Sequence, residues 1–475
     1  MAQQGSSGKK VVRDTVHLDF LRKAMEWIID ASIFEDIETH GNTKWIAKEL
    51  VMLAVLWVWS EKSQLTAAFS EAFVWSERLI GRAAVGSYQA LTNALVTYGG
   101  RLVPLLWSRL QRLMEDVGKE HWRIGIWLPL AVDGSRASTP RTKTNEEAFR
   151  AANYGKSNSA KYRKKNRKTK NKRKKNRVKA ETVTPQIWLT LLWHMGLRLP
   201  WCWKMGPSDS SEREHFREML VQRSFPKNTL FCGDAGFTGY DFWKSIMDRG
   251  HHFLIRVGAN VRLLTKLGYY ARECNGIVYV WPDSAARKKQ PPLILRLIHL
   301  KNDRGDIYLL TNVLNARCLS DAMSSRLYSL RWGIELQFRT LKQTFGRRTL
   351  RSRTPDRAYA ELEWSLLGLW MIHLFAVKEQ VKIGEPPRQT SAAIAIQVVR
   401  SILFLWCEVP KEGADLWTRL QNAVTDSYER QHSKRARYRP HKKDVPSAGK
   451  PIIMAANGKR KQQLERYRQQ VANAV

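Results

Sequence analysis

The chain is poor in the features that would tie it to a membrane or to an oxidising compartment. Its five cysteines are scattered without a C-x-x-C pair, which excludes a disulfide framework and a cysteine-based zinc site. The eleven histidines show no zinc-binding spacing either. The apolar runs 50–59 and 366–377 are shorter than the roughly 18 residues that span a bilayer, and the first residues are polar rather than basic and then apolar. We therefore expect a cytoplasmic protein.

Acidic residues are also scarce. The chain has 80 Lys and Arg against 43 Asp and Glu, a net charge of +37. A charge of this size repels itself unless a polyanion neutralises it, and nucleic acid is the commonest such partner, which would place the protein at the nucleoid. This balance predicts a nucleic-acid-binding protein, but it does not by itself predict an enzyme.

The strongest concentration of positive charge lies in residues 156–179, which contain fourteen Lys and Arg and no acid. Such a run cannot form a core. Because it lies between two predicted strands, we interpret it as a loop insertion that holds the DNA backbone without sequence preference, through residues such as Lys164, Lys165 and Arg173. A solvated loop with no partner is the alternative.

One face of the stretch 328–342 (YSLRWGIELQFRTLK) carries a single acid among cations. If the stretch is one helix, five residues project within roughly 80° of one another: Tyr328, Arg331, Glu335, Arg339 and Lys342. We call this set the 328–342 stripe. A lattice of surface ion pairs would give the same spacing, so the stripe alone leaves both interpretations open.

The spacing Y-(2)-R-(3)-E-(6)-K of Tyr328, Arg331, Glu335 and Lys342 resembles the signature of DDE transposases of bacterial insertion-sequence family four. The resemblance implies an RNase H-like catalytic core in which Glu335 is the third acid of a metal-binding triad. It also implies two upstream aspartates, each at or just beyond the end of a strand.

Two positions fit those aspartates. The apolar stretch 124–132 predicts a strand with Asp133-Gly134 directly after it, and the stretch 229–232 predicts a second strand followed by Gly233-Asp234. Either aspartate alone is more typical of a turn. Together with Glu335 they are the predicted catalytic and metal-binding residues Asp133, Asp234 and Glu335.

The predicted fold is α/β, an RNase H-like core with a β-rich insertion, flanked by helical N- and C-terminal regions. The expected ranges are a helical region at 1–117 that binds the transposon end, the first part of the core at 118–256, the insertion at 257–314, the second part of the core at 315–385, and a helical, basic region at 386–475. We expect a break in the N-terminal helices at 98–101.

The resemblance further implies two Mg²⁺ or Mn²⁺ ions and double-stranded DNA as the partner, as terminal inverted repeats and as target. Tyr328, Arg331, Lys342, Arg339 and Arg256 would contact the DNA. The expected reaction is cut-and-paste transposition through a nick, a hairpin, hairpin opening and strand transfer, by a homodimer that holds two ends. An aromatic of the insertion would stack a flipped base; the candidates are Trp281, Tyr279 and Tyr308.

One predicted helix, 208–222, opens with acidic residues. Ser211 and Glu214 have the spacing of a capping box, and Asp209 and Glu212 add negative charge at the positive end of the helix dipole. From the sequence, Glu212 is therefore a helix-stabilising residue.

Two other functions remain possible at this point. An RNase H-like nuclease or domesticated transposase would keep the triad and lose strand transfer. A non-enzymatic packaging protein would depend on its charge alone, so that its carboxylates would be replaceable and high salt would abolish its activity.

Overall fold

The computed structural model describes residues 18–149, 184–271, 273, 276–301, 305–404, 416–425 and 449–472. The basic loop 156–179, with Lys164, Lys165 and Arg173, lies outside the described residues.

Ten strands form one continuous sheet in the order β10-β6-β7-β8-β9-β5-β4-β1-β2-β3. Their bounds are β1 Leu128–Ser138, β2 Gln186–His194, β3 Leu199–Pro207, β4 Thr229–Gly233, β5 His252–Val257, β6 Arg262–Thr265, β7 Ile277–Val280, β8 Leu293–Leu300, β9 Ile307–Thr311 and β10 Ile452–Ala455.

The central half of the sheet has the topology expected for an RNase H-like core. Strands β1, β2 and β3 form an antiparallel meander, and β4 and β5 follow on the other side of β1, parallel to it. The mixed α/β fold with an RNase H-like core and helical flanks is thereby confirmed.

The strands of range 257–314 extend this same sheet, because β9 pairs antiparallel with β5 and β8 with β9. The described part of the C-terminal region also returns to it. Strand β10 pairs in parallel with β6, so a region predicted to be helical and basic contributes the edge strand. The division into domains stays a prediction.

Helices cover the sheet. Their bounds are α1 18–28, α2 Ala47–Trp59, α3 Leu65–Ile80, α4 Tyr88–Val117, α5 Lys143–Phe149, α6 Glu212–Gln222, α7 Tyr240–Met247, α8 Asp283–Arg287, α9 Asp321–Leu330, α10 Gly333–Gln343, α11 Pro355–Lys382, α12 Ala392–Leu403, α13 Leu416–Gln421 and α14 Gly458–Ala472.

Helix α11 joins the N-terminal helices to the sheet, since it packs against α2, α4 and β3. Among the described residues it is the one helix long and apolar enough to cross a membrane, but 94% of its most apolar window is buried inside the protein. This burial is typical of a core helix. The indole of Trp59 in α2 donates a hydrogen bond of 3.0 Å to the carbonyl of Gly368 in α11.

The break predicted at 98–101 is wrong, because α4 continues through it. Leu95 and Leu102, on either side of Gly99-Gly100, are buried. Packing therefore outweighs the roughly 1 kcal/mol that each glycine costs a helix.

Candidate active site

The pairing of β1 with β4 places two aspartates side by side. Ala131 is the last β1 residue in register with β4, opposite Cys232. Asp133 and Asp234 each come two residues later, so they occupy equivalent positions at the edge where the two parallel strands separate. Neighbouring parallel strands end at the same edge of a sheet, which is why residues far apart in sequence meet here.

The prediction that Asp133 follows the end of its strand is wrong in detail. Strand β1 continues to Ser138, and Asp133 lies opposite Leu191 of β2. The strand loses β4 after Ala131 but keeps β2 as a partner. Asp133 therefore lies within a strand, on the side where that strand is no longer paired with β4.

The 328–342 stripe lies on two helices and not on one. Helix α9 ends at Leu330 and α10 begins at Gly333. At the junction the backbone stays helical, but Ile334 and Glu335 donate to carbonyls three residues back, those of Arg331 and Trp332, at 3.2 and 3.1 Å. The chain is thus wound more tightly at the junction.

Gly333 explains why this junction approaches the sheet so closely. A β-carbon at Gly333 would lie 2.1 Å from the indole ring of Trp193 in β2. Only glycine fits there without movement of the tryptophan, and α10 then packs against β1. This contact brings Glu335 to the strand that carries Asp133.

Arg331 links the acid of the helix to the acid of the strand. It is 8% exposed, and its guanidinium lies 3.4 Å from Oε1 of Glu335 and 3.9 Å from Oδ2 of Asp133. Burial lowers the pKa of Arg331, but Tyr328 and the three carboxylates together raise it above its usual value. Its buried Nε has no hydrogen-bond partner among the residues that the structure describes.

The carboxyl group of Asp133 lies in an environment that disfavours its ionised form. Its pKa is raised to about 6, chiefly by burial and also by the charges of Asp234 and Glu335, against the lowering effects of the Gly134 amide and Arg331. The amide of Gly134 donates 2.8 Å to Oδ1 of Asp133, and that of Gly236 donates 2.7 Å to Oδ1 of Asp234. One carboxylate oxygen of each aspartate is thus fixed by the backbone.

A further acid, Glu212, is in contact with Gly134, the residue after Asp133. The pKa of Glu212, the first residue of α6, is raised to about 7, chiefly by burial and also by the charges of Asp133 and Asp234, while Arg136 acts in the opposite direction. The predicted capping bond of Ser211 is absent. No sequence signal distinguishes Glu212 from the other acids of its helix, because its position depends on how α6 packs on the sheet.

The acids fit a divalent cation by their chemistry. All are hard carboxylate oxygens, the donors that Mg²⁺ prefers, and a β-carbon at Gly134 would fill a space where Oε1 of Glu212 lies. Among the described residues, no three His, Cys, Asp or Glu side chains lie close enough together to hold an ion. The guanidinium of Arg331 lies between Asp133 and Glu335 instead.

Tyr328 and Arg256 lie beside this cluster. Burial and the charge of Asp234 raise the pKa of the Tyr328 phenol, whereas Arg331 and Arg256 of β5 lower it. The guanidinium carbon of Arg331 lies 5.6 Å from the centre of the Tyr328 ring. The structure therefore brings together Asp133, Asp234, Arg256, Tyr328, Arg331 and Glu335.

The other two residues of the stripe lie elsewhere. Arg339 is exposed, and the pKa of the half-buried Lys342 is lowered by burial and by Arg348. Arg348 belongs to the segment 346–353, which is fixed along the end of β1 because Ser138 donates 3.1 Å to the Arg348 carbonyl.

The three aromatics considered for base stacking are all buried, with exposures of 3% for Trp281, 0% for Tyr279 and 7% for Tyr308. The exposed aromatic at this site is Trp332, 55% exposed at the junction of α9 and α10. Sequence reasoning missed it, since a tryptophan within an apparent helix is normally a core residue.

An RNase H-like sheet with strand-edge aspartates and a helix-borne glutamate defines a class of metal-dependent enzymes that act on the phosphodiesters of nucleic acids. The Transposase DDE domain family matches residues 128–371, more than half of the chain. The chain therefore belongs to the DDE transposases, which bind DNA, cleave it and transfer its strands with divalent metal ions.

The chain is also 28% identical over 329 residues to the transposase InsG of insertion sequence element IS4 from Escherichia coli K12, covering 66% of this chain and 67% of the relative. This similarity confirms the resemblance to insertion-sequence family four. A cryo-EM structure of the piggyBac transposase synaptic complex with hairpin DNA matches 91% of this chain and 88% of its own at 12% identity, with a TM-score of 0.34. No comparison favours the nuclease or the packaging protein.

Proposed function

We propose that Asp133, Asp234 and Glu335 are the acids with which this transposase cleaves and joins DNA. The observation that carries the proposal is the position of Arg331, which lies between the helix-borne Glu335 and the strand-borne Asp133 within 4 Å of both. The β1–β4 register that sets Asp133 beside Asp234 supports the same assignment.

The three carboxylates would hold two Mg²⁺ or Mn²⁺ ions. When bound, such ions supply an activated oxygen nucleophile and neutralise the charge that develops on the leaving oxygen. The backbone amides of Gly134 and Gly236 each orient one aspartate by binding one of its oxygens, which leaves the other oxygen available. Arg331 orients Glu335 and limits the repulsion among the three acids.

The cations beside the triad would hold DNA. Arg331, Tyr328 and Arg256 lie at the carboxylates and would position the scissile phosphate, whereas Lys342 and Arg339 would contact phosphates farther along the duplex. The basic loop with Lys164, Lys165 and Arg173 would add contacts independent of sequence.

The proposed substrates are the terminal inverted repeats of the element and a target duplex, processed by the cut-and-paste sequence of nick, hairpin, hairpin opening and strand transfer. Each step is an in-line displacement at phosphorus, so one set of acids can serve them all. We propose that the N-terminal helical region recognises the transposon end, that two copies hold two ends as a homodimer, and that the protein works at the nucleoid.

The test is cleavage and joining of a duplex that carries the flanking inverted repeat, in Mg²⁺, by the natural protein, Glu335→Gln and the matched control Glu214→Gln. Glu214 is an exposed acid of α6 that pairs with Arg217. We expect Glu335→Gln to bind the duplex in a mobility-shift assay. Its cleavage rate should be lower than that of the natural protein by at least about 10³-fold. The control should do both normally.

If Glu335→Gln cleaves as fast as the natural protein, the assignment of the triad is wrong. Cleavage without joining by the natural protein would instead contradict the proposed strand-transfer step.

A further inference from the structure

The segment 346–353 (GRRTLRSR), which joins α10 to α11, carries four arginines and no acid. We call it the basic segment. Arg347 forms an ion pair of 3.7 Å with Glu361 of α11, and its side chain is only 11% exposed. The other three, Arg348, Arg351 and Arg353, are exposed and form no ion pair with any residue that the structure describes. One short segment therefore presents three cations to solvent without a counter-charge from the protein.

The backbone of the basic segment is held by Glu361. This carboxylate accepts a hydrogen bond of 3.0 Å from the amide of Arg351 and one of 2.9 Å from the amide of Ser352. Glu361 is 0% exposed, and a buried carboxylate is costly unless charge-assisted bonds of this kind compensate for its desolvation. The carboxylate therefore fixes the part of the segment that carries Arg351 and Arg353.

Further hydrogen bonds fix the basic segment to β1 and to the residue before α5. The amide of Ser138 donates 3.1 Å to the carbonyl of Arg348, and the amide of Leu350 donates 2.7 Å to the carbonyl of Ser138. The hydroxyl of Thr142 donates 2.8 Å to the carbonyl of Arg353. The backbone under each exposed arginine is thus ordered in the folded protein, so that binding need not supply the entropy of ordering it.

The basic segment continues the row of cations that begins at the active site. Burial and the charge of Arg348 lower the pKa of Lys342, so the two cations are neighbours. Ser138, which the segment contacts, lies five residues beyond Asp133 in β1, or roughly 16 Å at about 3.3 Å per residue. A duplex is long enough to reach both places at once.

We propose that the basic segment is a preformed binding surface for the phosphate backbone of double-stranded DNA. Arg348, Arg351 and Arg353 contact phosphates, and Glu361 is a positioning residue that holds the backbone from which they project. Joining α10 to α11 requires none of the three arginines, since they contribute no ion pair to the described part of the fold. The inference rests on the binding of DNA by the DDE transposases and does not depend on which acids carry out the reaction.

The first test removes the three exposed cations together, in the variant Arg348→Gln/Arg351→Gln/Arg353→Gln. Fluorescence anisotropy would follow binding of the full chain to the inverted-repeat duplex and to an unrelated duplex of equal length, across a salt series in a chelator. If each arginine binds one phosphate, the slope of log Kobs against log salt concentration should become shallower by about 2.7, or about 0.9 per contact. At about 0.1 M salt, the affinity should fall on the order of 10²-fold. The loss should be similar for both duplexes, because phosphate contacts carry no sequence information.

The matched control removes three exposed cations at the opposite edge of the sheet, in the variant Lys227→Gln/Arg249→Gln/Arg317→Gln. Lys227 precedes β4, Arg249 precedes β5, and Arg317 follows β9, which is antiparallel to β5. The two triple variants have the same net charge, so the control measures the effect of net charge alone. The proposal is wrong if the arginine variant keeps the slope and affinity of the natural protein, or if the control loses as much.

The role of Glu361 is tested by combining Glu361→Gln with the triple arginine variant. If Glu361 acts through the three arginines, Glu361→Gln should weaken DNA binding about 10-fold in the natural protein and not at all in the triple variant. Equal weakening in both backgrounds would show that Glu361 contributes only to the stability of the fold, and its positioning role would be wrong.

A second variant covers the case in which Glu361→Gln does not fold. Thr142→Val removes the hydroxyl that donates to the Arg353 carbonyl, and it takes the place of Glu361→Gln in the same comparison. We expect a smaller loss of affinity in the natural protein and none in the triple variant. Equal losses in both would contradict the proposal that these anchors act through the arginines.

Failure of this inference is distinguishable from failure of the proposed function, because binding and cleavage are measured separately. An unchanged salt slope in the triple arginine variant overturns the inference and leaves the assignment of the triad as it was. Cleavage by Glu335→Gln at the natural rate overturns the triad and leaves the basic segment as a binding surface.

Discussion

The two ends of the 328–342 stripe have the same spacing in sequence but lie in different environments. Tyr328, Arg331 and Glu335 meet the aspartates of β1 and β4. Arg339 is exposed, and Lys342 lies near Arg348 of the basic segment beside β1. Fourteen residues of helix are about 21 Å long, so a set of residues on one face need not share one site.

We propose that the two ends of the stripe serve different functions. Its first end holds the acid of the proposed triad and the arginine that neutralises it, where a change in charge alters the chemistry. Its second end is suited to hold a phosphate away from the reaction. The predictions below separate the two ends, beginning with the largest expected effect.

Arg331→Gln and Arg339→Gln are the most direct test, because each removes one cation from a different end of the stripe. We expect Arg331→Gln to slow single-turnover cleavage on the order of 10²-fold or more, since two of the acids lose their shared counter-charge. Removing this buried cation should also reduce the free energy of unfolding by about 1–3 kcal/mol, less than for a fully buried pair because Glu335 is partly exposed. Arg339→Gln should leave both nearly unchanged.

Lysine at position 331 should not restore the activity, because a point charge cannot contact Asp133 and Glu335 in the way a planar guanidinium does. If Arg331→Gln and Arg339→Gln lose cleavage rate to the same extent, the two ends of the stripe act alike.

Gly333→Ala tests the close packing that places the first end of the 328–342 stripe against the sheet. The added methyl group would lie 2.1 Å from the ring of Trp193, and overpacking of this kind costs about 1–3 kcal/mol. Helix propensity alone predicts the opposite, a gain of up to about 1 kcal/mol. Urea denaturation of the variant decides between the two.

Gly100→Ala is the matched control. Gly100 is an exposed glycine inside helix α4 with nothing within 4 Å of the added carbon, so the substitution should stabilise the protein or leave it unchanged. If Gly333→Ala stabilises the protein as Gly100→Ala does, the close approach of α10 to β2 is not as described.

Asp133→Asn tests the charge at the first end by its dependence on pH. The folded pKa of Asp133 is about 6, above its usual 3.8, because burial disfavours the ionised form. A raised carboxyl pKa means that the folded state binds more protons, so this group costs stability progressively as pH rises from about 4 to about 6. Without divalent cations, Asp133→Asn should therefore be more stable than the natural protein at pH 7.

The expected difference is on the order of 1–3 kcal/mol at pH 7 and close to zero at pH 3.5. Chemical denaturation in a chelator at both values measures it. A variant that is less stable than the natural protein at pH 7 would show that Asp133 is held by favourable contacts and not against like charges.

The sequence predicted the parts of this site that depend on local pattern. Strand β4 forms where the apolar stretch 229–232 predicted it, and Asp234 follows it as expected, because an apolar run bounded by glycine is typical of a short buried strand. The resemblance supplied Glu335. The junction of α9 and α10 was missed, since Arg331 and Trp332 are acceptable helix residues and the reason for the junction is Trp193, which is distant in sequence.

The contact between Glu212 and Gly134 was missed for the same reason. Local rules assign an acid in a first turn to the helix dipole, and only the packing of α6 on β1 shows that this one lies against Gly134. Contacts between elements that are far apart along the chain therefore decide what surrounds a polar residue.

The smallest expected effect belongs to Lys342 at the second end of the stripe. If its ammonium binds one phosphate, Lys342→Gln should reduce the slope of log Kobs against log salt concentration by about 0.9. Its affinity should fall similarly for specific and unrelated duplexes, because a phosphate contact carries no sequence information. Cleavage by the bound complex should change little, since the lysine lies away from the three acids.

Fluorescence anisotropy across a salt series, with Arg331→Gln as the comparison, measures the slope. A Lys342→Gln protein that keeps its salt slope but loses cleavage would place the lysine at the reacting phosphate, and the two ends of the stripe would then form one site.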